Sequence, residues 1–199
     1  MVGEDGRARC YWAGSAPEYI AYHDEEWGRA VRDDQGLYER MTLEAFQSGL
    51  AWITILRKRE GFRKAFAGFD IDAVAAFGED DFARLMADAG IVRNRLKIES
   101  TISNARAYLD FQSEHGGFAK HLWTFVGGKP IQNRWTQHKQ VPATSPESDA
   151  LSKDLKQRGF RFVGTTIIYA HMQATGMVND HVTGCFRYKE CKALGKKGN

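Results

Sequence analysis

The chain has 199 residues, which is enough for one domain or for two small lobes that share a core. Hydrophobic residues make up 43% and charged residues 27%, with a mean hydropathy of −0.48, so the composition excludes disordered and collagen-like chains and predicts a soluble globular protein. The net charge is only +3, from 28 Lys and Arg residues against 25 Asp and Glu residues, and it permits a nucleic-acid partner without indicating one.

Apolar runs in the sequence are short. None approaches the roughly 18 residues that a membrane-spanning helix needs, so we expect no membrane partner. The amino-terminal segment MVGEDGRARC lacks the apolar stretch of a signal peptide, which predicts a cytoplasmic location. The three cysteines, Cys10, Cys185 and Cys191, are an odd number and do not predict a disulfide framework.

Helical signals dominate the first part of the chain. The motif SAPE at residues 15–18 is typical of a capping box with proline in the first turn, and it predicts a helix that runs to about Trp27. Apolar residues at helical spacing predict a second helix over residues 34–48, which Gly49 ends. The apolar stretch that follows predicts a third helix with a break near Gly61.

The remainder of the chain continues this pattern. Residues 127–145 show neither helical nor strand periodicity, which predicts a long loop of the kind that is usually functional or mobile. No strand pattern and no internal repeat is visible, so the predicted fold class is all-α. A short helix is predicted after Asp70, and further helices over residues 79–87, 94–114, 118–126, 146–158 and 163–175.

Two cysteines and two histidines near the chain ends form a candidate metal site. The pair near the carboxyl end has i, i+4 spacing, which in a helix places both side chains on one face. Two thiolates and two imidazoles complete a tetrahedral zinc shell, and such an ion is structural because no position is left for water or substrate. The same residues are also compatible with buried cysteines and with histidines of the core or the surface. The candidate ligands are Cys10, His23, His181 and Cys185.

The connection over residues 85–91 joins two predicted helices and contains Gly90. Glycine permits a positive φ in a tight turn and lets backbone N–H groups at the next helix face an anion. Because Arg93, Arg95 and Lys97 follow at once, the pattern indicates a site for a DNA phosphate. An ordinary helix connection followed by a solvated basic turn is the alternative.

Glu44 is a carboxylate on a largely apolar helix stripe, because in the predicted helix it falls within about 20° of Leu37. Burial without a partner is costly, so three outcomes are open: an ion pair, a wet position at the helix edge, or a pocket that receives a donor-rich or cationic ligand. Five tryptophans and Tyr22 are more aromatic residues than a small core needs. A carboxylate beside flat aromatic faces suits a planar cation.

Six blocks of the sequence are distinctive: YIAYHDEEWG (19–28), TLEAFQSGLAWITILRKRE (42–60), DAGIVRNRLKI (88–98), ARAYL (105–109), SDALSKDLKQRGFRFVGTTI (148–167) and MVNDHVTGC (177–185). They closely resemble the 3-methyladenine DNA glycosylase I family, and the resemblance extends from Arg9 to Tyr188. It implies a helix-hairpin-helix DNA glycosylase fold in one catalytic unit over residues 1–199. Within this unit, residues 30–145 would form the hairpin lobe. Residues 9–29 and 146–190 would form a zinc-binding lobe from the two chain termini.

The resemblance also implies roles for individual residues. One structural Zn²⁺ per chain would be bound by the four candidate ligands, and Glu44 and Tyr22 would act in catalysis and base recognition in a pocket lined by Trp12 and Trp52. Asp88 stands where the wider superfamily usually has a glycine, which predicts a weaker or different phosphate contact. Contacts to the DNA backbone, or to the gap left by the extruded base, are implied for Gly49, Leu50, Asp88, Ala89, Gly90, Ile91 and Arg93.

The implied function is repair of alkylated double-stranded DNA. A monomeric enzyme of this kind extrudes 3-methyladenine, hydrolyses its N-glycosidic bond, and leaves the free base and an abasic site. Methylation at N3 makes the base a cationic leaving group, so little acid catalysis is needed, and we expect no lysine nucleophile and no strand cleavage. The alternatives are a non-catalytic, zinc-stabilised binder of alkylated DNA, a zinc hydrolase, and a helical interaction module.

Overall fold

The computed structural model describes residues 2–115 and 117–197, and most of these residues are helical. The helices are α1 (Pro17–Glu25), α2 (Asp34–Gln47), α3 (Trp52–Ala65), α4 (Ile71–Ala75), α5 (Glu79–Ala87), α6 (Arg95–His115), α7 (Phe118–Thr124), α8 (Pro146–Gln157), α9 (Thr165–Ala174) and α10 (Phe186–Lys197), and the strands are β1 (Ile131–Gln132) and β2 (Val178–Asn179). The predicted helical character is confirmed, and α10 lies beyond the last predicted helix. None of the helices in the described residues is long and apolar enough to cross a membrane.

The capping box predicted at residues 15–18 is wrong. Helix α1 begins at Pro17 with Ala16 as its N-cap, and no side chain caps its first turn. The Glu18 carboxylate instead accepts a hydrogen bond from Arg57 Nε of α3 at 2.9 Å. Proline has no N–H group to satisfy and fixes its own φ, so the helix can begin there without a side-chain cap.

Helix α3 continues through Gly61, so the predicted break is wrong. The α5–α6 connection passes so close that a Cβ atom on Gly61 would lie 2.4 Å from the Gly90 carbonyl oxygen. One turn earlier on α3, Lys58 Nζ donates a hydrogen bond to the Ala89 carbonyl oxygen at 2.7 Å. Gly61 is therefore a point of close packing that holds the α5–α6 connection against α3.

Strands β1 and β2 form a two-residue parallel pair, with Ile131 opposite Val178 and Gln132 opposite Asn179. The prediction of a fold without strands is wrong at this point, because two paired residues are too few to leave a periodic signal in the sequence. The pair attaches the long loop of residues 127–145 to the segment that follows α9.

Two hydrophobic clusters hold the described part of the chain together. The larger cluster is built from α2 to α9 around fully buried side chains such as Phe46 and Phe62. The smaller cluster joins residues from the two terminal segments, among them Tyr22 and Trp27. Trp52, at the start of α3, packs against both clusters, so the boundary between them runs along the beginning of this helix.

Candidate active site and metal centre

A cavity of about 280 Å³ opens where α1, α2, α3 and α9 meet. All four residues predicted to contact a base line it: Trp12, Tyr22, Glu44 and Trp52. The volume lies just below the roughly 300–1,000 Å³ of pockets for drug-sized ligands, and it suits a single planar base. The other lining residues are Tyr19, Trp27, Gln47, His138, Val141, Ala170, Gln173 and Asp180.

Glu44 of α2 is only 6% exposed, and its carboxyl group makes no hydrogen bond or ion pair with any residue in the ranges 2–115 and 117–197. Burial raises the pKa of its carboxyl group to about 8. Of the three outcomes left open by the sequence, the ion pair and the wet helix edge are excluded, and the pocket remains. A buried carboxyl group without a partner can receive hydrogen-bond donors or positive charge from a ligand.

Aromatic rings form the second feature of the cavity. The ring of Tyr22 lies 5.3 Å from that of Trp52 and 6.1 Å from that of Trp12, between centroids. Trp12 also meets Trp27 edge to face at 5.0 Å. Burial, and to a smaller extent the charge of Glu44, raises the pKa of Tyr22 well above its ordinary value. The phenol therefore keeps its proton and can donate a hydrogen bond. Flat apolar surfaces beside a carboxyl group suit a planar cationic ligand.

The four predicted metal ligands converge next to these aromatic residues, and all four are buried. Cys10 Sγ and Cys185 Sγ each lie 3.6 Å from His181 Nδ1, and Cys185 Sγ lies 3.4 Å from His23 Nε2. A tetrahedral zinc shell with bonds of roughly 2.0–2.3 Å separates neighbouring ligand atoms by about 3.3–3.8 Å. The donor set and its spacing therefore fit a single metal ion, and the four ligand atoms lie within 4.8 Å of one another.

The two sulfur atoms of this cluster influence each other. A hydrogen bond from the Cys10 thiol lowers the pKa of Cys185, and the same contact, together with burial, raises the pKa of Cys10. The buried pair therefore favours one thiolate beside one thiol. A divalent cation would stabilise both sulfur atoms as thiolates.

Both histidines of the cluster are oriented by acceptors on their outer nitrogen atoms. His23 Nδ1 lies 2.8 Å from Asp24 Oδ1, and Arg9 Nε donates a hydrogen bond to the same oxygen at 2.9 Å. His181 Nε2 lies 3.1 Å from the Trp27 carbonyl oxygen. Such outer contacts fix the tautomer that leaves the inner nitrogen free to bind a metal.

The helical face predicted for His181 and Cys185 is wrong, although the two side chains meet as expected. Both residues lie in the segment between β2 and α10, where the Cys185 N–H group donates to the Val182 carbonyl oxygen at 2.8 Å. A turn can bring residues four apart together as a helix does, so the spacing alone does not distinguish the two structures.

The α5–α6 connection differs from its prediction in the conformation of Gly90 and in the use of its amide. Gly90 lies outside the positive-φ region, and its N–H group donates to Asp88 Oδ1 at 2.6 Å. Ile91 is buried in the core, whereas Ala89, Gly90 and Arg93 are exposed. The connection therefore presents its backbone and the Arg93 side chain to solvent. The Gly90 N–H group, which the sequence predicts to be free for an anion, instead donates to the Asp88 carboxylate.

The prediction that Lys97 joins a surface phosphate site is wrong, because its side chain is buried. Its Nζ donates hydrogen bonds to the carbonyl oxygens of Phe46 and Ser48 at 2.8 and 2.6 Å. In the turn that follows, Gly49 has a φ of 80° and Leu50 is 37% exposed. Lys97 thus holds the carboxyl end of the helix that carries Glu44.

Comparisons with known proteins identify the family of this chain. The sequence matches the methyladenine glycosylase family over residues 12–188. The chain belongs to this family. It is 51% identical to DNA-3-methyladenine glycosylase 1 of Escherichia coli (strain K12) over 180 residues, which cover 90% of this chain and 96% of that protein.

Two solved structures of the family resemble this fold. A crystal structure of 3-methyladenine DNA glycosylase I is 50% identical, has a TM-score of 0.88, and corresponds to 90% of this chain and 98% of that one. A structure from Staphylococcus aureus, which describes 3-methyladenine recognition by 3-methyladenine DNA glycosylase I, is 34% identical with a TM-score of 0.87, over 89% of this chain and 95% of that one.

Several cavity residues of this family member are not singled out by the sequence. Gln47 lies three residues after Glu44 on α2, so helix periodicity could have placed it on the same face. Asp180 precedes the predicted ligand His181 but belongs to no periodic pattern. His138 comes from the loop to which the sequence assigns no role, because no local signal says where a long loop docks.

Proposed function

We propose that the protein is a monofunctional DNA glycosylase that excises 3-methyladenine from alkylated double-stranded DNA and leaves an abasic site. The observation that carries this proposal is the unpartnered Glu44 carboxyl group in an aromatic cavity of the size of one base. Membership of the methyladenine glycosylase family, and the names of the relatives, support the choice of base.

The cavity would recognise the damaged base by its charge and its edge. Methylation at N3 places a positive charge on the adenine of the nucleoside, and Glu44 accepts hydrogen bonds from the adenine edge. The nearby cation favours the ionised form of Glu44, which offsets the cost of burying that charge. Trp12 and Trp52 stack on the base, each contributing about 0.5–2 kcal/mol for a cationic ring. Tyr22 keeps its proton and donates a hydrogen bond that orients the base.

The bond between the base and the sugar breaks because its electron pair neutralises the cationic base. Free 3-methyladenine departs as a neutral molecule, and the positive charge passes to the deoxyribose. Water then adds to the anomeric carbon and loses a proton. No lysine of the described residues lines the cavity, and the buried Lys97 is bound to the carbonyl oxygens of Phe46 and Ser48, which supports a reaction without a Schiff base or strand cleavage.

We assign DNA binding to the α5–α6 connection, as a helix-hairpin-helix unit, and to the turn after α2. A base in a duplex must be extruded before it reaches a cavity of this kind. The exposed backbone of Ala89 and the Arg93 side chain would contact phosphates directly. The N–H groups of Gly90 and Ile91 would first have to leave Asp88, to which both donate, so Asp88 limits the approach of an anion. Gly49 and Leu50 directly follow the cavity helix, which supports a place beside the gap left by the base.

We further assign one structural zinc ion per chain to Cys10, His23, His181 and Cys185, because two thiolates and two imidazoles are a zinc donor set. When bound, the ion cross-links the two terminal segments and leaves no coordination position for water. In this assignment residues 9–29 and 146–190 form the metal-binding lobe and residues 30–145 the DNA-binding lobe of one catalytic unit, which acts as a monomer. The cytoplasmic location stays a prediction.

The experiment that tests the function is base release from methylated DNA. Purified protein is incubated with methylated duplex, and the free bases are separated by chromatography. We expect 3-methyladenine, little 7-methylguanine, whose edge does not satisfy Glu44, and negligible unmodified purine. Comparable release of 7-methylguanine would contradict the proposed recognition. A single-turnover assay for abasic sites distinguishes the enzyme from a non-catalytic binder. The binder would retain methylated DNA without forming abasic sites.

A further inference from the structure

We propose that Asp180 is a positioning residue that holds the loop segment 131–141 in place as one wall of the base cavity. The inference deepens the proposed function and rests on it, since the cavity is taken to receive the damaged base. Asp180 lines the cavity and is only 2% exposed. It offers no ligand atom to the neighbouring metal cluster, so its buried carboxylate needs another explanation.

The Asp180 carboxylate accepts four hydrogen bonds from two different parts of the chain. On the loop side, Asn133 Nδ2 and Trp135 Nε1 donate to Oδ1 at 2.6 and 2.8 Å. On the α9 side, Tyr169 Oη and Gln173 Nε2 donate to Oδ2 at 2.7 and 2.8 Å. Four donors on two oxygens satisfy a buried carboxylate, and bonds to a charged acceptor are about twice as strong as neutral ones. Asp180 therefore joins the loop to the helix that forms the adjacent cavity wall.

Backbone contacts on both sides of this carboxylate align the same loop segment. Before it, the Ile131 N–H group donates to the Met177 carbonyl oxygen at 2.9 Å. After it, the Thr183 N–H group donates to the Trp135 carbonyl oxygen at 2.8 Å. These contacts set the register of the loop against residues 177–183, and Asp180 provides the side-chain attachment between them.

The segment that is held in this way supplies two cavity residues, His138 and Val141. Its tip is a preformed turn, because Gln140 Oε1 accepts hydrogen bonds from the N–H groups of Thr136 and Gln137 at 2.8 and 2.9 Å. A rigid turn that is attached at its base moves as a unit. Loss of the Asp180 attachment should therefore withdraw this wall from the cavity and leave the Glu44 side of the cavity in place.

The test compares Asp180→Ala and Asp180→Asn in the full, metal-loaded chain. Asparagine retains the shape of the side chain. Its Oδ1 can still accept hydrogen bonds from the loop, and its Nδ2 can donate to the Tyr169 hydroxyl and, once the Gln173 side-chain amide rotates, to Gln173 Oε1. Alanine removes all four hydrogen bonds. Asp154→Ala is the matched control, because that half-buried carboxylate is bound by His121 and Arg158 and does not line the cavity.

Three quantities are measured: bound metal per chain, the affinity for free 3-methyladenine by calorimetry, and the rate of tryptic cleavage after the exposed residues Arg134 and Lys139. For Asp180→Ala we expect cleavage about tenfold faster and affinity about tenfold weaker, which corresponds to the net contribution of the two loop-side hydrogen bonds. Metal content should not change. Asp180→Asn and Asp154→Ala should stay within about threefold of the parent chain in cleavage rate and in affinity.

Three results would overturn the proposal: an Asp180→Ala variant that matches the parent chain, an Asp180→Asn variant as impaired as Asp180→Ala, or a loss of metal that accompanies the loss of affinity. If Asp180→Ala does not fold, Trp135→Phe decides, because it removes one loop-side donor and leaves the metal segment intact. It should accelerate cleavage after Arg134 and Lys139 severalfold, and an unchanged rate overturns the proposal. If the parent chain does not bind 3-methyladenine, the proposed function fails, while the cleavage rates still test the attachment.

Discussion

The metal cluster and the base cavity are in direct contact through Trp12 and Trp27, but the histidines of the cluster have hydrogen-bond partners, whereas Glu44 of the cavity has none in the described residues. In the cluster, the outer nitrogen of His23 contacts Asp24, and that of His181 contacts a backbone carbonyl oxygen. In the cavity, Glu44 has no partner among the described residues. Partnered groups hold the structure together, whereas an unpartnered buried group that lines a cavity marks a place where a ligand can complete the site.

Removal of one cluster ligand should have the largest effect on stability. Structural zinc sites contribute roughly 10–16 kcal/mol of binding free energy where folding depends on the metal, so we expect Cys185→Ala to lower the free energy of unfolding by at least about 3 kcal/mol. Denaturation with parallel metal analysis measures this. The control is Cys191→Ala, a buried thiol outside the ligand set, with an expected loss of about 1 kcal/mol. Equal losses in the two variants would mean that the cluster is ordinary core.

Glu44→Gln should have the opposite effect on stability at high pH. The folded pKa of about 8 lies above the ordinary value of 4.5, so the stability from this group is complete below pH 4.5 and is lost as the pH rises through 8. Glutamine does not ionise, so we expect the variant to be more stable than the parent chain by roughly 2–4 kcal/mol at pH 9 and about equal at pH 5. Urea denaturation at the two pH values measures the difference.

The same substitution should weaken the binding of free 3-methyladenine. Thermal unfolding with and without the base, together with calorimetry, measures this loss. Glu39→Gln is the matched control on the same helix, because Glu39 accepts a hydrogen bond from Arg63 at 2.8 Å and does not line the cavity. The control should keep the base affinity and lose a little stability. Retained affinity in Glu44→Gln would show that Glu44 does not recognise the base.

His171 on α9 is a buried group without a hydrogen-bond partner in the described part of the chain, and it has no place in the base cavity. It therefore shows the effect of such a group on stability apart from any effect on ligand binding. Both ring nitrogens lack a hydrogen-bond partner in the described residues, and burial, with Arg40 nearby, lowers the pKa to about 3. The unfolded chain binds the proton near pH 6.5, so stability should fall as the pH decreases from 6.5 towards 3, by up to about 1.4 kcal/mol per pH unit. His171→Met should reduce this slope in urea denaturation between pH 7 and 4.5. Because His171 does not line the cavity, base affinity at pH 8 should not change. An unaltered slope would mean that other groups cause the acid sensitivity.

The sequence predicts those features of the molecule that depend on local periodicity or on residues shared with a known family. The helix that bears Glu44 follows from its apolar spacing, and the four ligands follow from residue type and resemblance. The missing partner of Glu44 does not follow, because it depends on every residue that packs around the cavity. Gly61 shows the same limit: glycine in a helix indicates a break, but the approach of the Gly90 carbonyl group explains it instead. The attachment of the loop to Asp180 is likewise a long-range contact without a local signal.

Lys97 is a buried group with hydrogen-bond partners that holds the end of the helix bearing Glu44 but does not line the cavity. Its hydrogen bonds to the carbonyl oxygens of Phe46 and Ser48 involve a charged donor, and such bonds contribute about 1.5–3 kcal/mol each. Methionine loses both bonds but avoids the cost of burying the ammonium group, which offsets part of this loss. We expect Lys97→Met to lower the free energy of unfolding by about 2 kcal/mol and to slow single-turnover base release from DNA, with little change in the affinity for the free base. Exposed Lys153 on α8 provides the control substitution Lys153→Met, because it lies neither beside α2 nor on the α5–α6 connection. A loss of free-base affinity as large as the loss of rate would contradict a separate role for the turn at Gly49.

Arg93 should give the smallest effect, since it is an exposed residue whose proposed contact is a single DNA phosphate. Arg93→Ala should leave stability unchanged and weaken binding to alkylated and unmodified duplexes alike. The slope of log affinity against log salt should decrease by about one, as one fewer counterion is released. Exposed Lys153 on α8 provides the control substitution Lys153→Ala, for which the slope should not change. Because a phosphate contact carries no base information, a loss confined to alkylated DNA would place Arg93 in recognition of the damaged base. An unchanged slope would place the DNA backbone on another surface of the protein.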